Sequence, residues 1–178
     1  RVDATIIIEE LAAGCTSTTA FMTIHNMATW MVSEFGSIQL KEKWLQSLNS
    51  GSKLASYCLT EPGSGSDAAS LTTKALRDGN HYFITGNKAF ISGAGETNVL
   101  VVMARTGEPG PKGISAFVVN ADSDGISYGR KEDKMGWNAQ PTRTVNFDQV
   151  RVPAQNLLGQ EGEGFAIAMK GLDGGRIN

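Results

Sequence analysis

The chain is 178 residues long, 40% hydrophobic and 19% charged, enough to bury a core as one large domain or as a domain with pieces of its neighbours. Its formal net charge of -2 and its scattered basic residues, with no run longer than Arg130 followed by Lys131, leave no electrostatic footprint for nucleic acid or an anionic membrane surface. Apolar runs such as VLVVMA at 99–104 fall far short of the roughly 18 to 20 residues that span a bilayer.

The chain starts at Arg1 with no initiator Met and no leader pattern, and breaks off at Asn178 inside a helical pattern, so an internal piece of a longer protein is expected. In residues 1–52, Val2, Ile6, Ile7, Glu10 and Leu11, then Phe21, Ile24, Trp30 and Met31, recur at helical spacing. SIQLKEKWLQSLNSG reads as one helix from a Ser37 cap to a Gly51 stop, so this zone predicts two or three helices. From 53 to 157 the period falls to two. KLASYCL, LTTKALR, HYFITG, KAFISG, NVLVVMAR, GISAFVV, ISYGRK and TRTVNFDQV are short runs, with Asp78, Gly79 and Asn80, and again Gly86 and Asn87, as turn signals. About eight strands at that spacing predict an antiparallel sandwich or barrel. From 158 to 178 the pattern returns to helix in EGEGFAIAMKGLDGGRIN, which makes the fold class α+β.

Cys15 and Cys58 sit in apolar periodic segments rather than at a paired spacing, which predicts buried free thiols in a reducing compartment. His25 and His81 are isolated, and no His, Cys, Asp or Glu cluster has metal-ligand spacing.

The stretch YCLTEPGSGSDAASL at 57–71 satisfies a loose dinucleotide-binding pattern through Gly63, Gly65 and Ala68. A Rossmann unit needs a helix straight after those glycines and an acidic residue about 20 positions on. Strand and turn follow instead, and the acidic position falls at Asn87 and Lys88. No Gly-Lys-[Ser/Thr] follows to make a P-loop. Two readings stay open for the loop. Its glycines can turn successive N–H groups toward an anion or a flavin edge, beside the Thr60, Ser64 and Ser66 hydroxyls, or they serve only a tight turn.

TEPGSGSD at 60–67, GNKAFIS at 86–92, RTVNFDQVRVP at 143–153 and GEGFAIAM at 162–169, in that order and spacing, resemble the acyl-CoA dehydrogenase family over nearly the whole chain. KMGWNAQPTR and GLDGGRIN are most similar to its branch acting on isobutyryl-CoA in valine breakdown. The resemblance implies a helical N-terminal domain, of which 1–52 would be the end, a middle β-domain at 53–157, and a C-terminal helical bundle starting at 158–178. It implies FAD as cofactor, an acyl-CoA substrate, electron-transfer flavoprotein as acceptor and a homotetramer. The compartment implied is the mitochondrial matrix in a eukaryote and the cytoplasm in a bacterium.

By the same resemblance, Tyr57, Leu59 and Thr60 would meet the isoalloxazine ring, Gly65 and Ser66 would line the mouth with Ser66 toward CoA, and Phe90, Ile91 and Ser92 would pack beside the ring. Phe90 and Ser92 stand where many relatives carry Trp and Thr; an apolar wall and a hydroxyl donor are kept. Asp173, Gly174, Gly175 and Arg176 correspond to a substrate-contacting segment. Asp67 reads as a turn cap for backbone donors, and Trp137 as packing at a sheet edge. The family's proton-abstracting Glu would lie beyond Asn178; none of Glu61, Glu96, Glu132, Glu161 or Glu163 matches it, and Glu61 reads as structural. The chain alone is therefore expected to be inactive and to bind FAD poorly. Two other classes remain open: a non-catalytic acyl-CoA or flavin-binding module, and a piece of an acyl-CoA oxidase.

Overall fold

The computed structural model describes residues 2–175. Helix α1 runs Val2–Phe35, broken at Cys15, whose φ of -158° and ψ of 98° are extended, so it is two helices meeting at a kink. Helix α2, Ile38–Asn49, starts where the Ser37 hydroxyl accepts the Leu40 amide at 3.3 Å and stops as the Gly51 amide turns back to Leu48 at 3.0 Å. Such a cap is worth about 1 kcal/mol. The expected Ser37 and Gly51 signals hold. Met27, Ala28, Met31 and Val32 of α1 join Leu40, Trp44 and Leu48 of α2 in one core against the sheet. The earlier apolar stripe of Val2, Ile6, Ile7 and Leu11 forms helix as its spacing predicts, yet stays exposed.

The strands are β1 Ala55–Cys58, β2 Lys74–Asp78, β3 His81–Ser92, β4 Val99–Arg105, β5 Ile114–Asn120, β6 Ile126–Tyr128, β7 Thr142–Pro153 and β8 Leu157–Leu158. They join in the order β6-β7-β3-β2-β4-β5-β8, with β1 also on β4. Strands β4 and β5 are buried on both faces. Val99, Val101 and Met103 pack toward the helices, while Leu100, Val102 and Ala104 pack with Tyr82, Ile84, Val145 and Val150 of β3 and β7. The facing sides of β3, β4, β5 and β7 thus share a second core.

Pairing is not wholly antiparallel, as the alternation had suggested. Strand β1 lies parallel to β4 through Ala55↔Val99 to Cys58↔Val102, and β2 joins β4 in parallel at Lys74↔Arg105. Strands β1 and β2 are therefore collinear on one edge of β4, and residues 59–73 are an excursion from that shared line.

A second difference concerns Gly86 and Asn87, which make no turn. HYFITG and KAFISG are one strand, β3, with a register shift between Ile84 and Gly86. Gly86 sits at φ +150°, and a Cβ there would come within 2.7 Å of the Thr73 Cα. The glycine is needed for a bulge under the returning loop, and a bulge and a turn share the same sequence signal. Helix α3, Gly164–Gly175, packs against α1 and β5. Among the described residues no helix is long and apolar enough to cross a membrane.

Candidate functional site

The end of β1, the excursion 59–73, β3 and helices α1 and α3 surround a cleft of about 400 Å³, within the range of small-ligand sites. Tyr57, Leu59 and Thr60 form one side, Gly65 and Ser66 the mouth, and Phe90, Ile91 and Ser92 the other side. The structure brings together all eight residues singled out beside a flavin. Sequence reasoning missed the helical walls: Ile24 and Met27 of α1, and Phe165, Met169 and Leu172 of α3. The last three recur at i, i+4 and i+7, a legible apolar stripe.

The excursion closes on itself. Glu61 and Ser64 exchange backbone hydrogen bonds at 3.0 and 3.1 Å, and the Ser64 hydroxyl donates to the Asp67 carbonyl at 2.6 Å. Neither Gly63 nor Gly65 takes a left-handed conformation, so the positive-φ nest considered for this loop is not formed. A Cβ at either position would meet no atom within 4 Å, which leaves the mouth beside Gly65 open. The Asp67 carboxylate takes the Ser70 hydroxyl rather than a backbone donor, so it is a local tie and not the cap expected.

Beneath the excursion lies an ion pair that no local sequence pattern announces. The Lys88 ammonium, fully buried, donates to Glu61 Oε1 at 2.8 Å and to the Leu59 carbonyl at 2.9 Å. Glu61 also accepts the Thr72 amide and hydroxyl, both at 2.7 Å, and the Thr73 amide at 2.9 Å. Burial alone would raise the Glu61 carboxyl, but the Lys88 charge and these hydrogen bonds outweigh it and hold it down at about 2. Burial pushes the Lys88 ammonium below its ordinary value, opposed by the Glu61 charge. Glu61 is structural, as expected.

Above that pair, the Ala89 amide donates to the Thr60 carbonyl at 2.8 Å. A second register shift between Lys88 and Ile91 puts Phe90 at φ +56° and ejects its ring, 66% exposed, toward the cleft. The Tyr57 hydroxyl is buried and has no partner among the described residues, and burial raises its pKa. The Thr60 hydroxyl likewise has no hydrogen-bond partner among the described residues. Ser92 Oγ accepts from the side-chain Nε2 of Gln140. The cleft is an apolar slot with hydroxyls at its edge, suited to a flat, largely apolar ring with polar margins.

Among the described residues no carboxylate lines it. Glu96 pairs with Lys131 and Arg143, Glu161 with Arg77, and Glu163 accepts the Gln160 amide. Asp173 is exposed, and its neighbour Leu172 is the residue that enters the cleft. Gly174 lies one residue from the end of α3, Gly175 is its last residue, and Arg176 lies outside the described residues. Trp137 is exposed, with φ +57°, in the loop between β6 and β7 rather than packed at a sheet edge. Lys134 organises that loop by donating to the carbonyls of Trp137, at 2.9 Å, and of Gln140.

His25 is isolated from metal ligands but not idle: it meets the Leu48 carbonyl and accepts the Ala55 amide, each at 3.1 Å, joining α1, α2 and β1. Cys58 is buried as expected, whereas Cys15 is exposed at the break in α1.

The family model of the acyl-CoA dehydrogenase middle domain matches residues 56–150, and that of the N-terminal domain matches residues 1–52. Over its whole length the chain is 58% identical to the mitochondrial isobutyryl-CoA dehydrogenase of Bos taurus, of which it spans 43%. Butyryl-CoA dehydrogenase from Megasphaera elsdenii superposes with a TM-score of 0.93 at 39% identity, over 96% of this chain and 45% of that one. An FAD-dependent dehydrogenase superposes with a TM-score of 0.92 at 34% identity, over 96% and 47%. The chain spans less than half the length of these relatives.

Proposed function

The chain belongs to the acyl-CoA dehydrogenase family, and on that premise we propose that its cleft is the β-domain side of an FAD site, in an enzyme that converts isobutyryl-CoA to methacrylyl-CoA in valine breakdown. The observation that carries this reading is the meeting, in one apolar slot, of Tyr57, Thr60, Phe90 and Ser92 from segments far apart in sequence. The Thr60 hydroxyl, without a partner among the described residues, fits the group, since it gains a partner at the polar margin of a ring. FAD, when bound, supplies the acceptor for the hydride that leaves the substrate's β-carbon.

The chain's own residues then bind, orient and exclude water. Leu59 and Thr60 present a backbone edge already fixed by Lys88 and Ala89. The Thr60 and Ser92 hydroxyls face the polar margin, Ile91 packs beside them, and Phe90 shields the slot from solvent. Gly65 leaves the mouth open, and Ser66 there meets the CoA moiety. Asp173, Gly174 and Gly175, with Arg176 after them, meet the substrate, and Arg176 pairs with an anionic group of CoA. The α-proton goes to a Glu carboxylate supplied from sequence following Asn178. Preorganised donors at the thioester are what make so weak a carbon acid accessible to a carboxylate.

The division into 1–52, 53–157 and 158–178, a homotetrameric assembly and transfer of electrons to electron-transfer flavoprotein belong to the same proposal, as does a mitochondrial matrix location in a eukaryote or a cytoplasmic one in a bacterium. The test is an anaerobic titration of the full-length, FAD-loaded protein with isobutyryl-CoA, butyryl-CoA and octanoyl-CoA. Bleaching of the flavin absorption by isobutyryl-CoA before the others is expected. Preference for octanoyl-CoA would refute the branched substrate, and no bleaching by any thioester would refute the activity.

A further inference from the structure

Stability alone does not account for the ion pair of Glu61 and Lys88. Withdrawing two opposite charges from water costs desolvation that their attraction barely offsets, and apolar side chains of similar volume commonly stabilise a core as well. What distinguishes the pair is its place. Lys88 lies two residues before Phe90, on the strand that forms one side of the cleft, and its ammonium reaches the Leu59 carbonyl on the other side at 2.9 Å. Glu61, bound to that ammonium at 2.8 Å, simultaneously receives the Thr72 and Thr73 amides at 2.7 and 2.9 Å, where the excursion re-enters the sheet. One cation and one anion therefore tie together the exit of β1, the return into β2 and the bulge of β3. Neither residue lines the cleft itself.

We infer that Lys88 and Glu61 are positioning residues that set the gap between the Leu59 and Thr60 side of the cleft and the Phe90 and Ser92 side. The inference rests on the flavin reading above, since that gap is where the ring would lie. Directional bonds are needed for this task. An apolar pair would fill the space but hold neither the Leu59 carbonyl nor the bulge that keeps Phe90 at φ +56°, and an untied bulge is free to shift its register.

The test compares wild type, Lys88→Met and the double variant Lys88→Met with Glu61→Gln, each as full-length protein, by thermal unfolding without flavin, flavin dissociation constant and flavin reduction potential. Lys88→Met alone strands a buried carboxylate and should lose stability. The double variant should recover part of it, because the stranded charge is gone and the one amide oxygen still accepts either the Thr72 or the Thr73 amide. It should nevertheless release flavin about tenfold more readily and show a displaced potential. A double variant with recovered stability and the affinity and potential of wild type overturns the inference. So does one that fails to fold, because the pair would then serve the fold itself. If wild type binds no flavin, the functional reading falls and this inference with it; if wild type binds and the double variant matches it, the inference falls alone.

Discussion

The Ala89 amide donates to the Thr60 carbonyl at 2.8 Å, and the next residue, Phe90, is forced to φ +56°. A β-bulge is thus held in place by the backbone of the loop it faces, and a phenylalanine occupies a conformation that favours glycine. Left-handed backbone costs a non-glycine residue roughly 1 kcal/mol or more, and the Phe90 ring, 66% exposed, regains little of that by burial. Phe90→Gly should therefore raise the stability of the flavin-free protein by up to about 1 kcal/mol in denaturant unfolding, while weakening flavin retention. A loss of stability would mean that the ring packs where it looks exposed.

Gly86 and Gly65 make a contrasting pair. At Gly86 a Cβ would lie 2.7 Å from the Thr73 Cα on a left-handed backbone, whereas at Gly65 it would meet nothing within 4 Å. Gly86→Ala should cost about 2 kcal/mol or more; Gly65→Ala should change stability by less than about 0.5 kcal/mol. Urea unfolding of the two variants checks both, and equal effects would contradict the bulge.

Acid stability follows from Glu61. Burial acts to raise its pKa, the Lys88 charge and hydrogen bonds lower it further than burial raises it, and the result is about 2 against an ordinary 4.5. A carboxyl depressed by folding stabilises the native state fully above its unfolded value and loses that contribution as pH falls toward its folded value. Stability should decline between about pH 5 and pH 2, and Glu61→Gln should flatten that decline in unfolding curves taken across the window. An unchanged slope would place the acid sensitivity in other carboxylates.

The two thiols should differ sharply. Cys15 is exposed, and the Thr18 hydroxyl, 3.2 Å from its sulfur, lowers its pKa. Burial pushes Cys58 up to about 12. A thiol reagent should label one cysteine in the native protein and two after denaturation, and Cys15→Ser should abolish the native reaction. Rapid native labelling of Cys58 would show that the second core opens.

Much of this was legible in the sequence because short-range chemistry decided it. Ser37 and Gly51 bound a helix through their own hydrogen bonds, and the valine-rich run VLVVMA made a strand. The motif resemblance named eight of the residues that line the cleft but not its helical walls. The rest depends on partners distant in the chain. Gly86 looks the same in a turn and in a bulge until Thr73 is placed above it. Lys88 has no local mark of burial, and only folding brings it to Glu61, 27 residues away. The parallel pairing of β1 with β4 was equally invisible, because alternation records which face is buried and not the direction of the neighbour. Val2, Ile6 and Leu11 show the converse: a periodic apolar stripe specifies helix without specifying a cover.

Whether this cleft seats a flavin ring is decided by a crystal structure of the full-length, FAD-loaded protein. The isoalloxazine ring should lie between Thr60 and Phe90, with the Thr60 hydroxyl at its polar margin. A ring bound elsewhere, with Thr60 and Phe90 facing solvent or packed on each other, would contradict the flavin reading.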